Sequence, residues 1–146
     1  MALYPEFDGK VLVATGGASL IVEALARQFV ANGGSVVLGD LTTDHAHDVL
    51  SDVGDAGCFV RTDVTSDADL DALLATAVEE FGGVDFAVSA HTIFGCGYLE
   101  TTRQQWHTSL DVNVASSAMF IEKAVPLMQV RGAGAAVLVT SISGKA

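Results

Sequence analysis

The residues best placed to do chemistry are Thr15-Gly16-Gly17-Ala18-Ser19, where the apolar run Val11-Leu-Val-Ala14 meets the start of a helical pattern. A strand that turns through glycine into a helix aims backbone N–H groups at the helix N-terminus, and those donors suit a pyrophosphate. Asp40 ends the second apolar run, about twenty residues past that turn. A carboxylate there can accept hydrogen bonds from adenosine ribose hydroxyls and repels a 2′-phosphate, which favours NAD over NADP. In Arg61-Thr-Asp63-Val64-Thr65, Asp63 could take an adenine amino group while Val64 covers the ring. The same Asp-Val-Thr before a helix is also an ordinary cap. Leu20 and Val22 occupy positions where such turns use glycine for close approach and tight packing. Leu20 is expected to crowd the pyrophosphate or to fill its place, and Val22 to push the helix off the sheet, at a cost of about 1–3 kcal/mol. Together with Ile21 they make the helix start apolar nearly all round, a pattern that usually means burial.

The elements that must hold these groups alternate in type. Strands are expected at 10–15, 35–39, 57–62, 84–89 and 135–140, and helices at 19–32, 44–53, 67–81 and, as one long element, 102–130. Short apolar strands separated by helix-length crossovers imply an α/β architecture, a doubly wound parallel sheet in three layers. Asn32-Gly33-Gly34 and Gly82-Gly83 stop helices, while Ser66 with Asp67 and Asp69 starts one. The chain reads as a single domain, 1–146, without repeat or linker.

Bulk properties exclude several classes. A formal net charge of −11, with seven Lys and Arg scattered singly, argues against nucleic acid and against an anionic membrane surface. Charged residues break every run that could approach a membrane span. No basic segment precedes an apolar one at the N-terminus, so the expected location is cytoplasmic. Cys58 and Cys96 read as small, partly buried side chains, and His45, His47, His91 and His107 lack metal-ligand spacing. No metal site is expected.

With these motifs in order, the chain resembles the classical short-chain dehydrogenase/reductases over essentially its whole length. The resemblance rests on Thr15–Ser19, Asp40, Asp63-Val64, Phe81-Gly-Gly-Val-Asp85, Leu110-Asp-Val-Asn113-Val, Pro126-Leu-Met128 and Val137-Leu-Val-Thr-Ser141-Ile-Ser-Gly144. It implies a Rossmann-type fold with strand order 3-2-1-4-5, a nicotinamide cofactor, and hydride transfer between alcohol and carbonyl. It also implies that Thr15, Gly16, Ser19, Ile21, Asp40, Leu41, Asp63, Val64 and Ala90 contact the cofactor. Asn113 matches the helix asparagine that supports the proton relay. Ser141 matches the serine that holds the substrate carbonyl, with Ser143 the tolerated error of register.

Departures from the family pattern are equally specific. The family's acid/base is a Tyr followed four residues later by Lys, about a dozen residues past the serine; the sequence runs to Ala146, and neither Tyr4 nor Tyr98 has such a Lys. A phenol of pKa ~10 needs a nearby cation to act near neutral pH. The chain is therefore expected to be truncated before the Tyr-x-x-x-Lys segment and inactive alone. Ser89-Ala90-His91-Thr92 stands where Asn-Asn-Ala-Gly is usual, so His91 is expected in the cofactor's path. Trp106 reads as core or interface, because the family packs the helix that carries it against a partner subunit. That helix and an apolar edge at the fifth strand predict a homo-oligomer. Two functions stay open: the cofactor-binding portion of an oxidoreductase, or a non-catalytic degenerate domain that mediates association.

Overall fold

A computed structural model describes residues 3–43, 46–95 and 99–141. Five parallel strands, β1 (Val11–Thr15), β2 (Ser35–Asp40), β3 (Gly57–Arg61), β4 (Phe86–Ser89) and β5 (Ala135–Leu138), lie in the order β3-β2-β1-β4-β5. Between them run α1 (Leu20–Ala31), α2 (Ala46–Val53), α3 (Asp67–Phe81), α4 (Arg103–Leu110) and α5 (Ser116–Val130). The expected fold class and strand order are those observed.

Alternation along β1 explains the three layers. Val11 and Val13 face α3 and α5, in a cluster with Leu73, Ala77, Phe120 and Ala124. Leu12 and Ala14 face the other way, toward Val22, Ala26 and Phe29 of α1 and Val49 of α2. Every β1 residue is buried, as a strand covered by helices on both sides must be. Register brings Thr15 opposite Gly39 on one side and Ser89 on the other, so the C-terminal ends of β2, β1 and β4 form one edge.

At the opposite edge Asp85 ties three segments together. Its side chain is almost fully buried and accepts from the Val11 N–H (3.0 Å), Lys10 Nζ (3.2 Å), and Arg131 Nε (3.3 Å) and Nη2 (3.0 Å). Burial pushes its pKa up, but the donors of Arg131, Val11 and Lys10 outweigh it and hold the carboxyl below its usual value.

Two expectations about elements are corrected. The long helix expected over 102–130 runs unbroken from Arg103 to Val130, but its hydrogen bonding changes: α4 and α5 are joined through a π turn, Asp111–Ala115, with helical backbone throughout. The ladder of the fifth strand ends at Leu138, although the Val139 N–H still donates to the Ser89 carbonyl (2.9 Å). All four β5 residues are exposed, and β4 is the sole strand beside them among the described residues. Trp106 is not core; it stands 45% exposed on α4.

Candidate nucleotide-binding site

The turn after β1 is built by close approach. Gly16 adopts φ +74°, and a Cβ there would meet the Ala90 carbonyl carbon and oxygen at 2.6 Å and the His91 nitrogen at 2.7 Å. Only glycine allows the turn to rest on the backbone that leaves β4. Ser19 caps α1 by accepting from the Val22 N–H (3.4 Å), and the Ala18 N–H donates to Asp40 Oδ2 (3.0 Å). The Leu20 and Ile21 N–H groups have no acceptor among the described residues, which leaves the first two donors of the helix available to an anion.

Asp40 fixes this turn and also faces the cleft beside it. Oδ1 accepts from the Leu41 N–H (2.7 Å), while each carboxylate oxygen keeps capacity for a further donor. The cleft, about 110 Å³, is lined by Gly16, Asp40, Leu41, Val64, His91 and Val112 among others. It lies at the carboxyl ends of the strands, where open α/β sheets bind ligands. Asp63 turns instead to its own loop, accepting from the Thr65 N–H (3.0 Å) and hydroxyl (2.7 Å), and the hydroxyl bond foremost lowers its pKa. A larger groove of about 660 Å³ runs along α4 and the π turn past Gln104, His107, Leu110 and Val114, and shares no lining residue with the cleft.

The π turn presents Asn113. Its Oδ1 accepts from the Ile93 N–H (2.8 Å), and its Nδ2 donates to the Ile93 carbonyl (3.0 Å) and to Ser109 Oγ (3.1 Å). Side-chain capacity is thus spent on the segment after β4. The main-chain carbonyl accepts from Ser117 Oγ (3.3 Å), which itself accepts from Ser89 Oγ (2.9 Å). Ser141 follows β5 and is exposed.

Against this geometry, comparison with known proteins decides the family. The family model described as enoyl-(acyl carrier protein) reductase matches residues 16–146. The chain is 34% identical over 140 residues to 2,5-dichloro-2,5-cyclohexadiene-1,4-diol dehydrogenase of Sphingobium indicum, covering 93% of this chain and 56% of that protein. The chain belongs to the short-chain dehydrogenase/reductase family. A 3-alpha-(or 20-beta)-hydroxysteroid dehydrogenase of Mycobacterium tuberculosis is 34% identical over 139 residues, covering 94% of this chain and 54% of its own length. A crystal structure of a short-chain dehydrogenase/reductase, a glucose/ribitol dehydrogenase from Brucella melitensis, superposes with TM-score 0.77 at 29% identity, over 84% of this chain and 53% of that one. The chain spans about half the length of the curated relatives it matches.

Measured against the short-chain dehydrogenase/reductase pattern, two expectations change. Val22 is 0% exposed and lies between α1 and the sheet, packed with Leu12, Ala14 and Ala26. Leu20 and Ile21 are not buried; they are 71% and 58% exposed. Helical phase is the reason, since at ~100° per residue Leu20 lies ~200° from Val22, and the inward stripe is Val22, Ala26 and Phe29. Leu20 therefore fills no cavity and remains an outward obstacle at the helix N-terminus. His91 does line the cleft, but hydrogen bonds turn its ring toward Thr15 and the π turn. Sequence reasoning missed those partners and the Ser89–Ser117 link, because a local pattern carries no signal for contacts made by residues so far apart in the chain.

Cys96, Tyr98, His45 and Ser143 lie outside the described residues. Tyr4 is at the far edge of the sheet, its N–H on Asn32 Oδ1 (2.8 Å). Among the described residues no group of three or more His, Cys, Asp or Glu is arranged to hold a metal ion, and no helix there is long and apolar enough to cross a membrane.

Proposed function

We propose that this chain is the nucleotide-binding portion of an NAD-linked oxidoreductase that interconverts an alcohol and a carbonyl. The observation that carries the reading is Asp40, which braces the glycine turn through the Ala18 N–H and faces the cleft with its remaining lone pairs. The residues fit a dinucleotide: Gly16 gives the close approach, and the Leu20 and Ile21 N–H groups are free donors among the described residues. When bound, the nicotinamide supplies the hydride acceptor or donor. Asp40 and Leu41 hold the adenosine ribose and disfavour a 2′-phosphate. Val64 covers the adenine, Thr15, Ser19 and Ala90 border the cofactor's course, and Leu20 weakens the fit at the pyrophosphate.

Ser141 orients the substrate carbonyl, and Asn113 positions the relay through its main chain. A proton at the carbonyl requires a Tyr-x-x-x-Lys pair, which residues 1–146 do not contain, so the chain alone is inactive in carbonyl reduction. The names of its relatives span a cyclic diol, a hydroxysteroid and sorbitol, whose common chemistry is oxidation of a hydroxyl-bearing carbon. Oxidation of a hydroxyl-bearing carbon is the reaction class of this chain's parent enzyme. Trp106, Leu110 and Val114, at four-residue spacing and all exposed, supply an apolar stripe for pairing with a second copy in the cytoplasm.

A second reading is favoured by Leu20, whose exposed side chain stands at the helix N-terminus: a domain that associates and binds no nucleotide. Titration of NADH fluorescence separates the two. Enhancement that saturates below millimolar NADH supports the first. Silence in both the wild type and Leu20→Gly leaves the second.

A further inference from the structure

We propose that His91 is a positioning residue, whose neutral Nε2-protonated ring ties the π turn that presents Asn113 to the ends of β1 and β4. Its Nε2 lies 2.9 Å from the Val112 carbonyl and its Nδ1 lies 2.7 Å from Thr15 Oγ1. A carbonyl only accepts, so Nε2 carries the proton. In the neutral ring, which burial favours, Nδ1 is the acceptor and the buried Thr15 hydroxyl donates to it. Ser89 Oγ approaches Nδ1 and Ser117 Oγ approaches Nε2, each at 3.4 Å, and the two hydroxyls bond to one another at 2.9 Å.

The residues gripped by this ring are each one position from a functional element. Thr15 precedes Gly16, whose turn rests on the backbone of Ala90 and His91. Val112 precedes Asn113. A rigid plane with one donor and one acceptor can set the spacing between the two; an aliphatic side chain of similar volume can fill the seam but cannot hold it. Burial supports the assignment, since it holds the imidazole below its ordinary pKa against the opposing pulls of the Val112 carbonyl and of Asp40. The consequence for cofactor rests on the function proposed above; the clamp itself does not.

Nitrogen-15 spectra of histidine-labelled wild-type protein at neutral pH should show His91 as the Nε2–H tautomer. Hydrogen exchange at residues 113–117 should quicken about tenfold in His91→Leu, while the amides of β1–β3 keep their rates. His91→Gln, which retains a donor and an acceptor, should restore exchange to within about threefold of the wild type. The NADH dissociation constant should follow the same order. An Nδ1–H tautomer, unchanged exchange in His91→Leu, uniform quickening across the sheet, or no recovery in His91→Gln would each overturn the proposal. Absence of NADH binding in the wild type would count against the proposed function and leave the tautomer and exchange results to judge the clamp.

Discussion

Replacing Leu20 and Val22 by glycine, one at a time, should have very different effects on stability, although the two sit in the same short motif. Val22 is 0% exposed beneath the sheet. Its loss removes a fully buried side chain, about 1.5–3 kcal/mol, and adds a few tenths for glycine in a helix. Leu20 is 71% exposed at the first position of α1, so its loss costs less than about 1 kcal/mol. With a urea slope of about 1–3 kcal/mol per molar, Val22→Gly should lower the unfolding midpoint by roughly 1–2 M, and Leu20→Gly by a few tenths. Urea titrations followed by far-ultraviolet circular dichroism read both. Equal losses, or a neutral Val22→Gly, would refute the assignment of the inward face of α1. The same contrast reverses for ligand. Leu20→Gly should tighten NADH by about 5- to 150-fold, the equivalent of relieving 1–3 kcal/mol of crowding, whereas Val22→Ala should leave affinity within about threefold.

Acid should act in two separate windows. His91 has a lowered folded pKa, so its contribution to stability is complete above the unfolded value of 6.5 and is lost as pH falls below it toward the folded value. Asp85 is also lowered, but from 3.8, so its contribution is present above that value and is lost only in stronger acid. Unfolding curves from pH 7 to 3 should show the first loss in the wild type and not in His91→Gln. Asp85→Asn should cost roughly 2–3 kcal/mol at pH 7 by chemical denaturation, because two cationic partners and the Val11 N–H lose their carboxylate; a change under 0.5 kcal/mol would contradict the network. Asp40→Ala should abolish preference for NADH over NADPH in paired titrations; an unaltered ratio would remove Asp40 from ribose recognition.

Much of this arrangement was legible in the residues. The alternation of short apolar runs with helical patterns gave the sheet, and the α3 boundaries, Asp67–Phe81, coincide with those read from the Ser66 cap and Gly82. What escaped was direction. Leu20 and Val22 look alike as missing glycines until helical phase sends one to solvent and the other into the core. His91 looked like an obstruction because its type was visible and its partners, Thr15 and Val112, were not. The π turn has no compositional mark; Asp111–Ala115 reads as ordinary helix, and the ties of Asn113 to Ile93 and of Val112 to His91 depend on tertiary packing.

A nicotinamide dinucleotide should settle at the glycine turn and the cleft beside Asp40. Amide nitrogen-15 correlation spectra recorded during NADH titration would test it directly. The largest shifts should fall on residues 16–22, Asp40, Leu41 and Val64, at the carboxyl edge of the sheet, with little change at Tyr4 and Asn32 on the opposite edge. Shifts confined to the groove along Gln104, His107 and Val114, or none at millimolar NADH even in Leu20→Gly, would contradict it.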